Sequence, residues 1–368
     1  MRRESHTIAA LERARKVAGD EEAMLALQSA ADYADREGDH GSAWVARETL
    51  LDRSHATDRV REQLAAFAWM LHSKSRRTPS YWGNPLMWTY KWVAVNLAHS
   101  ADLTREQIDA LIEAMRQRYE AEGLGTAPIQ AVQLELAIQM GRAVDSEELF
   151  KAWKSNQSTA GADCPACVRL TEVEYLLACG KLTEALEHGQ PLLDRKMRCA
   201  VVPHTTYAHF LLPLIEAGDL AQAGKMHGRG VRMLRQLEGC GSTFATHACY
   251  YACARKWKKS FELLTPRLGT ILRAKAANIQ LLALLAMELA CATAIEHRVG
   301  AAPLSLPAVV PERPADGSWD LVELGRWAQD QADTLAKRLD LRNGNDAKSS
   351  ILERWRTIRS AGLELPLN

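Results

Sequence analysis

The stretch YLLACGKLTEALE, residues 175–187, contains the end of one amphipathic helix, a glycine and the start of a second helix. Similar stretches lie at 136–150, 213–225 and 250–262. Their turn residues are separated by 39, 38 and 37 positions and are Gly141, Gly180, Gly218 and Arg255. Small residues near each turn allow two helices to approach closely, so this regular spacing predicts a series of antiparallel helix pairs.

Helical periodicity extends through most of the chain, whereas the alternation that is typical of strands is nearly absent. Hydrophobic residues make up 47% and charged residues 25% of the 368 residues, as in a folded globular protein. The sequence therefore predicts an all-α fold of stacked antiparallel helix hairpins. We expect a helical repeat array over 1–298, clearest at 130–275, a proline-rich linker at 299–318 and capping helices at 319–368.

Four residues in and just after the opening stretch carry a resemblance to a known repeat: Tyr175, Gly180, Ala185 and Pro191. In type and order they resemble the signature of the tetratricopeptide repeat (TPR) family. The resemblance implies a right-handed superhelical α-solenoid. It also implies a non-catalytic scaffold that holds a protein or peptide partner in its concave groove.

Eight cysteines occur in a chain whose first stretch, MRRESHTIAALERARK, is charged throughout. Because this stretch lacks the apolar core of a signal peptide, we expect a cytoplasmic protein with reduced thiols. Thiols in such a protein serve metal binding, catalysis or the core rather than disulfides. The most informative pair is Cys164 and Cys167 in GADCPACVRL, where Pro165 suits the first position of a helix.

A second pair of candidate ligands, Cys199 and His204, follows one repeat later. Cys164 and Cys199 are 35 positions apart, and Cys167 and His204 are 37 apart, which nearly equals the repeat period. Stacked repeats would bring both pairs to one edge, since packed helices lie about 10 Å apart. We predict that Cys164, Cys167, Cys199 and His204 form a closed structural zinc site, with His247 as an alternative fourth ligand.

Two other interpretations of these cysteines stay open. They could be inert thiols in the core or at helix caps, because a single Cys-x-x-Cys pair is a weak signal. They could also form a redox couple, although the βαβ context of thioredoxin-like proteins is missing from the sequence.

The positive charge of the chain is concentrated in one region. Residues 181–275 contain 15 Lys and Arg residues against 7 Asp and Glu residues, whereas the whole chain has a net charge of +1. Arg229, Arg232 and Arg235 follow one helix face at intervals of three residues. We expect these arginines to contact a protein or peptide partner, for which an acidic peptide is the best candidate. A solvated basic face beside an acidic one is the alternative.

Two further functions stay open. The basic region would suit a nucleic acid, with Trp257 as the aromatic side chain on which a base could stack. An enzyme would need a metal with an open coordination position, so a ligand set in which water replaces His204 would favour catalysis. Nucleotide-phosphate loops and the motifs of zinc proteases and α/β-hydrolases do not occur. No run of about 18 uncharged apolar residues is present, so no membrane partner is expected.

Overall fold

The computed structural model describes residues 8–9, 11–13, 20–73, 85–156, 163–200, 202–234, 240–310, 315 and 317–367. In these residues the regular structure is helical apart from one two-stranded ribbon, as the all-α prediction requires. The first helices are α1 (Asp20–Glu37), α2 (His40–Ala56), α3 (Val60–Ser73), α4 (Pro85–Asn96), α5 (Arg105–Ala121), α6 (Ala127–Gln139), α7 (Glu147–Ser155) and α8 (Pro165–Ala178). They are followed by α9 (Leu182–Leu193), α10 (His204–His209), α11 (Leu211–Glu216), α12 (Leu220–Leu234), α13 (Gly241–Cys253), α14 (Trp257–Arg273), α15 (Ala277–Glu296), α16 (Leu321–Asn343) and α17 (Ala347–Ser360).

The chain divides into two compact units, Met1–Asn96 and Leu97–Asn368. In the first unit, α1 packs on α2, α2 on α3 and α3 on α4. The second unit contains the helices from α5 onward and the candidate site. The predicted boundary at residue 298 falls inside this second unit, because α16 and α17 share a hydrophobic core with α13 and α15.

The four turns predicted from the repeat all adopt the left-handed backbone conformation. The angle φ is +74° at Gly141, +73° at Gly180, +78° at Gly218 and +61° at Arg255. After each of these residues, the next N–H donates to a carbonyl five residues earlier, as from Lys181 to Leu176 at 2.9 Å. This is the Schellman arrangement, in which a left-handed residue ends a helix and reverses the chain. Glycine adopts it without the steric cost of a side chain.

The helices on either side of these turns pack as pairs: α6 with α7, α8 with α9, α11 with α12, and α13 with α14. Contacts also join first helices of successive pairs, α6 with α8, α8 with α10 and α10 with α13. Helices α10 and α11 together form one first helix that is interrupted at Phe210. Pro213 has no N–H to donate to the carbonyl of His209, which accounts for the interruption.

The predicted linker contains part of a β-ribbon. Strand β1 (Ala301–Pro303) pairs antiparallel with β2 (Ser318–Asp320). The Trp319 indole is buried, and its Nε1–H donates to the carbonyl of Leu304 at 2.9 Å, which anchors the segment to the core. The described residues of this segment are not helical, as its prolines predict. The pairing was not predicted, because three-residue strands are too short to show an alternating pattern.

The segment that follows α17 packs against the helix pair α12–α13. Leu365 is buried in the core, and the Tyr250 hydroxyl donates to the carbonyl of Pro366 at 2.9 Å. A side chain at Gly224 of α12 would meet the Pro366 ring at 2.7 Å, so the glycine allows this close approach. The segment therefore completes the packing of α12 and α13.

Among the described residues, α15 is the one helix long and apolar enough to cross a membrane. Within its apolar window, 83% of the residues are buried inside the protein. Helices α13, α14 and α16 pack around it. A helix that is surrounded by other helices is apolar on all sides because none of its faces contacts water, which is also true of a membrane helix.

Candidate metal centre

Three cysteine sulfurs meet at the N-terminus of α8. Cys164 is the N-cap residue, with extended backbone angles of φ −64° and ψ 153°, and Pro165 occupies the first helical position. Cys167 lies in the first turn, and Cys199 lies in the loop between α9 and α10. The three Sγ atoms all lie within 4.8 Å of one another, and those of Cys167 and Cys199 are 3.3 Å apart.

A small apolar cluster holds the loop of Cys199 against α8. Ala166 and Leu170 of α8 pack with Leu192 and Val202, and the Cys199 side chain lies partly buried against this cluster. The loop turns sharply here, because the backbone N–H of Cys199 donates to the carbonyl of Val202 at 3.2 Å. Apolar burial thus helps to bring the third thiol to the other two.

The sulfur positions fit a shared metal ion. With Zn–S bonds of about 2.3 Å, two sulfurs of a tetrahedral site lie about 3.8 Å apart. All three sulfurs lie within 4.8 Å of one another and those of Cys167 and Cys199 are 3.3 Å apart, so small side-chain rotations would suffice to close the site around an ion. Three thiolates favour soft or borderline cations such as zinc.

Cys164 and Cys167 differ in acidity. Burial opposes ionisation of Cys164, but hydrogen bonds from the backbone N–H groups of Cys167 and Ala166, together with the neighbouring thiols, outweigh burial and lower the pKa of Cys164. The start of α8 favours negative charge for the same reason. Burial and the adjacent sulfurs raise the pKa of Cys167, because a second thiolate beside the first is unfavourable without a cation. A divalent cation would remove that repulsion and release the proton.

The predicted fourth ligand is not part of this group. His204 begins α10, is buried, and places Nε2 3.6 Å from the Sγ of Cys240. Burial lowers the pKa of His204, which keeps the ring neutral. The alternative ligand His247 lies in α13, with Nδ1 3.1 Å from Nδ1 of His227. The structure therefore brings together the three predicted cysteines but neither predicted histidine.

A basic cavity of about 1030 Å³ adjoins the thiol group, because Cys199 lines both. One wall is the α9–α10 loop, and the other consists of side chains from α10 and α12. Asp194 is its acidic lining residue, against five basic ones: Arg195, Lys196, Arg198, Arg229 and Arg232. The buried Tyr207 hydroxyl donates to the carbonyl of Leu193 at 3.1 Å, which joins the two walls.

The cavity contains two of the three arginines that were predicted to bind a partner. Arg229 and Arg232 are exposed on α12 and line the cavity, whereas Arg235 lies outside the described residues. The basic residues of the opposite wall lie in the basic region 181–275, but sequence reasoning did not assign them to a binding site. The stretch RKMR, residues 195–198, directly precedes Cys199, and this adjacency is the signal that would have identified them.

No protein-family model matches this chain, and no curated protein matches it. The TPR resemblance stays a prediction that depends on a few residues. In the structure, Tyr175 is buried and stacks on Phe150 with ring centroids 4.0 Å apart. Ala185 is fully buried within α9, and Gly180 forms the turn between the helices of its pair. These positions suit a helix hairpin with a close crossing.

Replacing Cys199 with serine is expected to weaken zinc binding by more than about 100-fold, because loss of a ligand exceeds the 10–100-fold effect of losing a supporting contact. Elemental analysis and competition with a chelator measure this. Cys179→Ser is the matched control, since Cys179 is also partly exposed but lies outside the thiol group. Equal zinc content in the two variants would exclude the three-thiol site.

Proposed function

We propose that this protein is a non-catalytic, TPR-like helical scaffold that binds an acidic segment of a protein partner. In this proposal, Cys164, Cys167 and Cys199 hold a zinc ion beside the binding cavity. The paired helices, their left-handed turns and the contacts between successive first helices support the scaffold part of the proposal. Stacked hairpins of this kind would form a superhelical array with an extended surface for a partner.

One observation favours an acidic partner: the cavity beside the thiols has five basic lining residues and one acidic one. Its volume of about 1030 Å³ accommodates several side chains of a peptide. Concentrated positive charge in a concave site attracts anionic groups and speeds their association. An acidic peptide therefore fits both the charge and the size of the cavity.

The zinc ion would act on the binding loop. Cys199 belongs to the same loop as Arg195, Lys196 and Arg198, whereas Cys164 and Cys167 belong to the start of α8. An ion shared by the three sulfurs would fix the loop to that helix. The basic residues of the loop would then be held opposite Arg229 and Arg232, with less conformational entropy to lose when a peptide binds.

A nucleic acid is a weaker candidate for the same cavity. Binding of a single strand usually adds stacking on aromatic side chains to the attraction of phosphates. Trp257, the aromatic residue predicted for stacking, is 8% exposed and packs edge-on to Phe261. Tyr207, which lines the cavity, is fully buried. Neither ring offers a face to a base.

The double substitution Arg229→Glu and Arg232→Glu is expected to weaken binding of a fluorescein-labelled oligoglutamate peptide by at least about tenfold, since two attractive charges become repulsive. Fluorescence anisotropy at physiological salt measures the affinity. The matched control is Arg326→Glu with Lys337→Glu, which changes the net charge equally at exposed positions on α16. Equal weakening in both variants would show that binding is non-specific.

The same assay with a single-stranded oligothymidine separates the two partner classes. We expect it to bind the wild-type protein more weakly than oligoglutamate does, and to lose affinity steeply with salt. Tighter binding of the oligonucleotide, with the loss again confined to the Arg229→Glu and Arg232→Glu variant, would replace the acidic peptide by a nucleic acid.

A further inference from the structure

We infer that a metal ion held by Cys164, Cys167 and Cys199 keeps its fourth coordination position for the partner, and that a carboxylate of the acidic segment in the cavity occupies it. This inference rests on the proposed function and assigns a specific ligand to it. The cavity and the thiol group would then be one composite site, in which the peptide is bound by arginines and lysines and by the metal.

The first observation is that the protein supplies three ligands. Among the described residues, no fourth His, Cys, Asp or Glu side chain lies within 4.8 Å of all three sulfurs. The chain segments 157–162 and 201, which adjoin the thiols in sequence, contain no residue of these types. Zinc in proteins takes four ligands when structural, and three plus an exchangeable one when the site is open. Three cysteines correspond to the open type.

The second observation is that the predicted fourth ligand, His204, has another partner. The Nε2 atom of His204 faces the Sγ of Cys240 at 3.6 Å rather than the three thiols. His204 is 3% exposed and lines the same cavity as Cys199, so it would have to give up its contact with Cys240 to reach the metal. The imidazole that would have closed the site is therefore occupied elsewhere.

The third observation is the position of Cys199. Its side chain belongs to the thiol group and also lines the basic cavity, whereas Cys164 and Cys167 do not line it. The metal would consequently lie at the boundary of the cavity, on the side of Cys199. A ligand that fills the cavity is the group best placed to reach an open position there.

The charges favour an anionic fourth ligand at this boundary. Three thiolates and a divalent cation have a net charge of −1, and a carboxylate makes it −2. Such a charge would be unfavourable in an uncharged pocket. Here Arg198 directly precedes Cys199, and Arg195 and Lys196 lie in the same loop. These cations compensate the negative charge, and carboxylate oxygen is an ordinary zinc ligand at about 2.0–2.2 Å.

The composite site has a thermodynamic consequence. If a carboxylate binds the metal, the metal strengthens peptide binding by some factor, and the peptide must strengthen metal binding by the same factor. A closed structural zinc site would show no such direct ligation. Metal and peptide affinities, each measured with and without the other, therefore report on the fourth ligand.

The experiment uses the full chain loaded with Co²⁺, whose visible d–d bands and near-ultraviolet thiolate-to-metal bands respond to the ligand set. Addition of oligoglutamate is expected to shift the d–d bands while the thiolate bands remain. Oligo-cysteic acid is the matched probe, because its sulfonates carry the same charge but are poor metal ligands. It is expected to bind the cavity without changing the Co²⁺ spectrum.

The Arg229→Glu and Arg232→Glu variant is the control in which the metal site is intact and the cavity no longer binds the peptide. It is expected to retain the thiolate bands, which shows that the site is folded, and to lose the shift caused by oligoglutamate. If oligoglutamate binds by anisotropy and the spectrum does not change, the inference is overturned and the proposed function stands. If Co²⁺ gives no thiolate bands, or oligoglutamate does not bind, the corresponding part of the proposed function fails and the inference fails with it.

Discussion

Gly141→Ala is expected to lower the free energy of unfolding by about 2–5 kcal/mol, the largest loss among the alanine substitutions at the repeat turns. Two costs add at this position. A left-handed φ of +74° costs a residue with a side chain about 1–2 kcal/mol. An added Cβ would also overlap the Cβ of Ala347 and approach the Asn345 amide at 3.4 Å. Urea denaturation measures the loss.

Gly180→Ala and Gly218→Ala are the matched controls for this prediction. Their φ angles are +73° and +78°, but an added Cβ would meet no atom within 4 Å at either position. Each should therefore cost only the conformational term of about 1–2 kcal/mol. Equal losses at all three turns would mean that the Gly141 turn is not packed against the start of α17.

The second large effect is a loss of stability in acid. Burial, the neighbouring His247 ring and Lys259 lower the pKa of His227 to about 2, and burial lowers that of His247 to about 3. In the unfolded chain both rings titrate near 6.5. Between the folded and unfolded pKa values, the unfolded state binds more protons than the folded state. The contribution of the two neutral rings to the free energy of unfolding is therefore fully present above about pH 6.5 and is lost as the pH decreases toward about 3. The slope is about 1.4 kcal/mol per pH unit for each histidine.

A neutral replacement tests the origin of this slope. His247→Gln is expected to unfold at lower urea concentration near pH 7 and to show a shallower loss of stability between pH 6.5 and 4.5. His297→Gln is the control, because His297 is exposed and lies outside the buried histidine pair. If both variants lose stability with decreasing pH as steeply as the wild type does, groups other than His247 cause the acid sensitivity.

The helix hairpins were predictable because their signals are local. A glycine or a left-handed arginine ends each first helix, and the hydrophobic period on both sides identifies the helices. The angles at Gly141, Gly180, Gly218 and Arg255 agree with the positions that the repeat alignment assigned to them. The meeting of Cys164, Cys167 and Cys199 was also predictable, because one repeat period brings equivalent helix ends together.

The fourth ligand was not predictable, because the same period offers two partners. His204 follows Cys167 by 37 positions and precedes Cys240 by 36. Sequence spacing places the imidazole near both, and only packing decides that it faces Cys240. The basic wall was not assigned to the site for a different reason. Arg195, Lys196 and Arg198 lie in a loop, where no periodic pattern indicates which way the side chains face.

The contact between Tyr250 and Pro366 has a consequence for biosynthesis. The two residues are 116 positions apart, which a ribosome translates in roughly 6–23 s at about 5–20 residues per second. During that time the nascent α12 and α13 lack the segment that covers Gly224 and accepts the Tyr250 hydrogen bond. The helix that carries Arg229 and Arg232 therefore reaches its native packing only late in translation.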